Sequence, residues 1–432
     1  MAESPGILPR LDEAPLSRTQ VMGILLCLLL NALDGFDVLA ISFASPGIAA
    51  EWGIDRAALG LVLSMELIGM AVGSVVLGSY ADRAGRRPAI LLCLAIMAAG
   101  MLAATFARNV EMLSAFRLFT GLGIGGMLAC TNAMVAELAN ARTRSLAVGL
   151  MASGYPVGAI VGGSIAAQLL VGGDWRHVFL FGAGMTALFL PLTWLLLPES
   201  IRYLFQRQPA GALERANRLL AKMGQAPIET LPPRAEAGGK LPLAQLFAGP
   251  LARTTILLTI AYFCHIMTFY FILKWVPKIV VDMGYPASQA AGVLVWANVG
   301  GLAGAVLLSL LSWRLPLRAL LVVALVAATA MVALFGQGQR DLGGLALVAG
   351  IAGFCTNAGV VGMYALIAQS FPTAARGSGT GFVIGVGRGG AALGPIVAGL
   401  LFSMNLGLPV VAAAMAGGSL VAAAALLGLR RG

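Results

Sequence analysis

G-S-Y-A-D-R-A-G-R-R, residues 78–87, carries four charges in its last six positions and lies between two apolar runs, 57–80 and 88–107. A short charged island between two stretches of roughly 20 apolar residues reads as a chain that crosses a bilayer, turns and recrosses it. Gly78 and Gly85 permit a tight turn. Arg83, Arg86 and Arg87 hold the island on one side of the membrane. Asp82 can accept hydrogen bonds from a neighbouring arginine or a helix N-terminus.

The same alternation runs along the whole chain. Of its 432 residues, 59% are hydrophobic and 11% charged, against about 25% charged in a soluble domain. A water-soluble fold cannot hide so much apolar surface, so the bilayer is the solvent. Twelve spans are predicted, at 19–44, 57–80, 88–107, 110–136, 144–170, 176–197, 253–277, 286–312, 316–336, 342–370, 377–402 and 406–429. The expected fold is an all-α membrane protein of twelve transmembrane helices in two six-helix bundles.

The net charge of +10 is read as a topological signal and not as nucleic-acid binding. With the N-terminus placed in the cytoplasm, cytoplasmic segments hold 20 of the 28 basic residues and outer segments hold 6. That bias predicts both termini in the cytoplasm of a cell with a cytoplasmic (inner) membrane. The first span follows 18 polar residues without a small-residue cleavage site and is expected to be retained. The five cysteines all fall within spans and lack metal-ligand spacing, so they read as reduced, small apolar groups. No metal and no cofactor is expected.

The chain divides into a tail, 1–18, a first bundle, 19–197, a linker, 198–252, and a second bundle, 253–429. The linker holds Pro209, Pro227, Pro232, Pro233 and Gly238–Gly239, and residues 212–223 can form a short amphipathic helix on the inner membrane surface. The halves repeat weakly. A shift of 232 residues lays Arg144 on Arg376, Gly149 on Gly381, Gly158 on Gly390 and Gly162 on Gly394. Parallel six-helix repeats place a binding site between the halves near the midplane. Glycine spacings such as G-x-G-x-G-G at 121–126 and G-x-x-x-G at 154–158 fit closely packed helices.

The 78–87 island closely resembles the G-x-x-x-D-R-x-G-R-R/K signature of the major facilitator superfamily. R-L-F-T-G-L-G-I-G-G at 117–126 and P-E-S-I-R-Y-L at 198–204 resemble two further signatures of it. The resemblance implies the major facilitator fold and a gating latch built on Gly78, Asp82, Arg83, Gly85 and Arg86. It also groups Arg117, Glu137, Glu199 and Arg144 as scaffold, proton path or inner ion-pair network. The second copy of the island, at 309–318, has Trp313 where the aspartate would stand.

D-G-F-D at 34–37, inside the first span, resembles the signature of one branch, the aromatic acid:H⁺ symporters. W-V-P at 275–277, F-P-T-A-A-R-G at 371–377 and G-x-G-R-G-G-A-A-L-G-P at 385–395 extend that likeness over nearly the whole chain. The resemblance implies carriage of benzoate, hydroxybenzoate and related ring acids. The aspartate pair also makes sense on its own residues. Asp34 and Asp37 lie about 60° and one turn apart on a helix, on a face shared with Asn31. Carboxylates in hydrocarbon face a cavity or a partner and are functional candidates by default. The 232 shift lays them on Ile266 and Phe269, so the second half holds no copy. They are assigned the proton coupling.

Arg388 is the other notable intramembrane charge, and since the 232 shift lays it on Pro156 it too is specific to one half. A guanidinium holds a carboxylate through two parallel hydrogen bonds, so Arg388 is assigned the substrate anion, or a first-span aspartate when the site is empty. Asn132, Tyr155, His265, Phe269, Tyr270, Asn298, Asn357 and Tyr364 are further candidates to line the site, with Asn31. A lone helical histidine is more often a packing residue. Glu66 lies outside the family pattern; it faces the cavity or pairs with an arginine or His265. Lys274 is expected near the outer end of its span, snorkelling to water.

The expected function is proton-coupled import of an aromatic carboxylate by alternating access, by a monomer whose partners are that acid, protons and the lipid bilayer. The alternatives are a proton-driven exporter of organic anions or drugs, favoured by the glycine–proline pattern at 154–163, and a membrane sensor of aromatic acids. An enzyme is not expected, since no nucleophile, metal or nucleotide-loop pattern is visible.

Overall fold

The computed structural model describes residues 7–233 and 243–429, so Gly238–Gly239, Arg430 and Arg431 lie outside the described residues. Among the described residues, twelve helices long and apolar enough to cross a membrane follow one another: α1 (Arg18–Trp52), α2 (Arg56–Ala84), α3 (Arg86–Thr105), α4 (Val110–Leu138), α5 (Arg144–Leu169), α6 (Arg176–Leu196), α7 (Gly249–Asp282), α8 (Ala287–Leu311), α9 (Leu317–Gly336), α10 (Leu342–Ser370), α11 (Thr373–Ser403) and α12 (Leu408–Leu427). Capping side chains mark several starts. Ser17 and Gln20 form a capping box on α1, while Asp55, Asn109 and Asp341 cap α2, α4 and α10. An even number of crossings puts both ends of the described chain on one face, called here the terminal face.

Helices α1–α6 form one bundle and α7–α12 the other. Within each, glycine lets backbones meet. A Cβ on Gly73 or Gly125 would stand 2.0 Å from the carbonyl oxygen of Leu122 or Met70, which fastens α2 to α4. Gly300 and Gly353 do the same between α8 and α10, at 1.8 and 1.9 Å from the carbonyls of Gly350 and Ala297. These two helix pairs correspond under the internal repeat. α1 and α5 cross as closely: a Cβ on Gly35 would stand 2.0 Å from the Tyr155 carbonyl oxygen.

The halves meet through α2 on α11 and α5 on α8, with α7 against α1. The described polar links between them lie at mid-height or on the face opposite the termini. There Arg56 pairs with Asp282 at 3.0 Å and Arg56 also sits over the Phe402 ring, 5.0 Å from its centroid. The molecule is thus closed on the opposite face.

On the terminal face, short helices Ile201–Arg207 and Ala212–Lys222 follow α6. The second turns Ala212, Ala216, Leu219 and Leu220 inward, where all four are buried. Its apolar face therefore packs on protein.

Candidate functional site

The glycine contacts between α2 and α4 fix the centre of the site. A Cβ on Gly121 would stand 2.1 Å from the Glu66 carbonyl oxygen, so the two backbones touch one turn from Arg117. Glu66 then meets Arg117 at 2.6 Å with both side chains fully buried. Arg117 also donates to the Asp37 backbone carbonyl at 2.9 Å, and its guanidinium lies 5.3 Å from the centroid of the Phe179 ring. The second half completes the cluster. Lys274 on α7 is fully buried, 3.4 Å from Glu66, and its Nζ donates to the Val38 carbonyl.

One expectation is corrected. Lys274 does not snorkel to water. α7 runs past the expected edge at 277 to Asp282, which draws Lys274 inward. Glu66, outside every motif, is the carboxylate shared by the two buried cations.

Asp34 and Asp37 flank this cluster on α1. Asp37 accepts from the Thr186 hydroxyl at 3.2 Å through one oxygen, and its other oxygen has no partner. Asp34 is buried with neither oxygen partnered. Asn31, one turn before it, donates to the Met151 carbonyl at 2.5 Å and so ties α1 to α5. The residue is buried beside the acids, and its Oδ1 has no partner.

Arg388 does not pair with an α1 aspartate. It reaches across the halves to the Met70 carbonyl on α2 at 3.3 Å, one turn closer to the terminal face than Glu66. It stays half-buried, within electrostatic reach of Tyr262 and Tyr270. Tyr262 donates to the Tyr364 hydroxyl at 3.0 Å, and Tyr364 is 43% exposed. Phe269 and Tyr270 stack edge to face with centroids 5.3 Å apart.

A small cleft opens between α5 and helices α7, α8 and α10, lined among others by Tyr155, Phe269, Asn298, Thr356 and Asn357. The Tyr155 hydroxyl is buried without a partner, while the amide nitrogens of Asn298 and Asn357 donate to the carbonyls of Leu294 and Gly301. Four of the expected lining residues therefore share one wall. His265 does not join them. Nε2 donates to the Thr356 carbonyl and Nδ1 accepts from Ser419, each at 2.9 Å, so the ring is a fully satisfied packing group. Asn132 is half-buried and donates to Leu128 of its own helix at 2.8 Å.

At the terminal face the island folds as a charged hinge between α2 and α3. Gly85 has φ +110°, and a Cβ there would stand 2.4 Å from Glu199 Oε2. The Glu199 carboxylate fills that space and accepts from the backbone N–H groups of Arg86, Arg87 and Ser200. Burial pushes the Glu199 carboxyl above the usual range, against those hydrogen bonds. Arg86 bridges Asp82 at 2.6 Å and Glu137 at 3.3 Å, and Ser200 donates to Glu137. The exposed Arg83 gives its carbonyl to the Tyr203 hydroxyl at 3.0 Å. Arg144 joins a second knot, pairing with Asp12 at 2.5 Å beside Arg202 at 2.9 Å. Gly78 makes no turn: it lies within α2, and a Cβ there would meet the Ala129 Cβ at an ordinary 3.7 Å.

A model of the Major Facilitator Superfamily matches residues 27–341. A gallate transporter of Pseudomonas putida is 33% identical over 406 residues, covering 92% of this chain and 89% of its own. The 4-hydroxybenzoate transporter PcaK of Pseudomonas aeruginosa is 31% identical over 423 residues, covering 96% and 94%. The solved xylose transporter XylE from E. coli superposes with a TM-score of 0.73 at 18% identity, over 96% of this chain and 98% of that one, a likeness of fold. The chain belongs to the Major Facilitator Superfamily, in its aromatic acid:H⁺ symporter branch. It is a multi-pass membrane protein of a transporter family.

Proposed function

We propose that this protein is a monomeric, proton-coupled importer of a single-ring aromatic carboxylate, working by alternating access in the cytoplasmic membrane with both termini inside. The observation that carries the coupling is Asp34, a buried carboxyl with no cation and no donor on either oxygen. An ionised carboxylate left unpaired in a low-dielectric interior costs several kcal/mol. A carboxyl so placed exchanges a proton whenever access to it changes sides. Arg388 is the free hand for the substrate, because Arg117 and Lys274 already hold Glu66.

The ring fits the wall of Tyr155, Phe269, Asn298 and Asn357, where the Tyr155 hydroxyl offers an unused hydrogen bond. The relatives' gallate and 4-hydroxybenzoate carry ring hydroxyls that such a wall would read. Closure of the opposite face corresponds to a carrier open toward the cytoplasm, and the Asp82–Arg86–Glu137 hinge serves as the latch of the alternate state.

The test is uptake of labelled 4-hydroxybenzoate and gallate into proteoliposomes under an imposed inward proton gradient. Wild type is expected to accumulate at least one of them. Asp34→Asn and Arg388→Gln are expected to lose accumulation. Accumulation that persists without a proton gradient, or in Asp34→Asn, would refute the coupling assigned here.

A further inference from the structure

The cation that completes the acid cluster is carried by the half that moves away from it. Lys274 reaches from α7 into the first bundle, onto Glu66 of α2 and the carbonyl of Val38, the residue after Asp37 on α1. Every other charge of the cluster belongs to the first bundle: Asp34 and Asp37 on α1, Glu66 on α2 and Arg117 on α4. The remaining titratable groups facing it are Cys93 on α3, Tyr155 on α5, and Tyr270 and Arg388 from the second half, while α6 contributes the Thr186 hydroxyl. The two second-half cations sit at different heights. Lys274 lies on the side of the closed face, and Arg388 lies one α2 turn nearer the terminal face.

We infer that Lys274 and a proton alternate as the balancing charge of the acid cluster on α1 and α2. Opening of the opposite face separates α7 from α1 and α2, withdraws the ammonium, and leaves three carboxyls facing one arginine; a proton enters from that side to replace it. Closure returns the ammonium and expels the proton toward the terminal face. The one bond made and broken is a carboxyl O–H, and the cluster carries the same net charge in both states, because one proton replaces one ammonium. Lys274 is thus a positioning residue for the proton, which it never binds from the acids. The inference rests on the alternating-access reading above and not on the identity of the substrate.

Linkage makes it measurable. If opening takes up one proton, the open-to-closed ratio rises tenfold for each unit fall in pH. Spin labels at Val171→Cys and Gln289→Cys, both exposed on the opposite face near the contact of residues 170–172 with α8, report that ratio as a distance. The five native cysteines are first replaced by alanine, and no ligand is added. Wild type is expected to show the tenfold slope, and Lys274→Gln less than a twofold change per pH unit. Because Lys274→Gln alone can lose fold, Glu66→Gln/Lys274→Gln is measured alongside; it also withdraws no cation and is expected to be flat. A flat wild type, or a tenfold slope retained in either variant, would overturn the inference. Absence of ring-acid uptake with the slope intact would remove the substrate reading and support this one.

Discussion

Glu66→Gln tests whether the buried cluster is the electrostatic keystone of the two bundles. The substitution keeps volume and removes one charge. Arg117 loses its 2.6 Å ionic contact and keeps the Asp37 carbonyl at 2.9 Å, the Met101 sulfur at 2.9 Å and the Phe179 ring. Lys274 keeps only the Val38 carbonyl. Neither cation has any exposed surface, so water cannot replace the carboxylate. Breaking a buried pair from one side costs about 3–5 kcal/mol, and with two cations stranded the upper half of that range is expected. Lys274→Gln is milder, about 1–3 kcal/mol, since Glu66 retains Arg117. The double variant strands one cation instead of two, so its loss should fall short of the sum by about 1–3 kcal/mol. Equilibrium unfolding in mixed detergent micelles, followed by tryptophan fluorescence, reads all three. A Glu66→Gln loss below about 1 kcal/mol, or losses that add within about 0.5 kcal/mol, would refute the pairing.

Three further outcomes follow from the geometry. Gly85→Ala forces a side chain onto φ +110° and against Glu199, so a loss of about 1–3 kcal/mol is expected, with faster trypsin cutting at Arg83 to Arg87. The Glu199 carboxyl is held above its ordinary range by burial, so its contribution to stability is full below that range and is lost as pH rises through the folded value; Glu199→Gln should flatten this fall in a melting series from about pH 4 to about pH 8. Tyr155→Phe removes a buried hydroxyl that has no partner, so stability should hold within about 1 kcal/mol while uptake of hydroxylated ring acids falls relative to benzoate; an equal fall for both would place the ring elsewhere.

The spans were legible because hydrocarbon length and apolar runs are the same physical quantity, and the α2–α3 hinge because its charges and Gly85 recur as a signature. Helix ends were less so. The span expected to end at 277 runs on to Asp282 with Pro277 inside α7, and that difference moves Lys274 from the surface to the core. Glu66 was visible as a charge in mid-span, but its partners are 51 and 208 residues away, and only packing brings them together. His265 could be weighed but not decided from sequence, since Ser419 and Thr356, which satisfy it, come from two other helices. Arg388 stands out in the sequence as a charge in mid-span, while its position on a backbone carbonyl carries no sequence signal.

The seam on the opposite face has one more property. Where α2 meets α11, Gly60 and Gly399 lie Cα against prospective Cβ at 3.2 Å, with the Pro395 and Arg56 carbonyls pressed close on either side. Two smooth backbones in contact have no interlocking side chains to unthread before they part. Such a surface behaves as a plain bearing: it holds by area, slides with little friction, and leaves the timing of release to the few charged fasteners beside it. A bulkier residue at Gly60 or Gly399 would add teeth to that bearing, and the cost would fall on the speed of turnover as much as on the stability of the closed form.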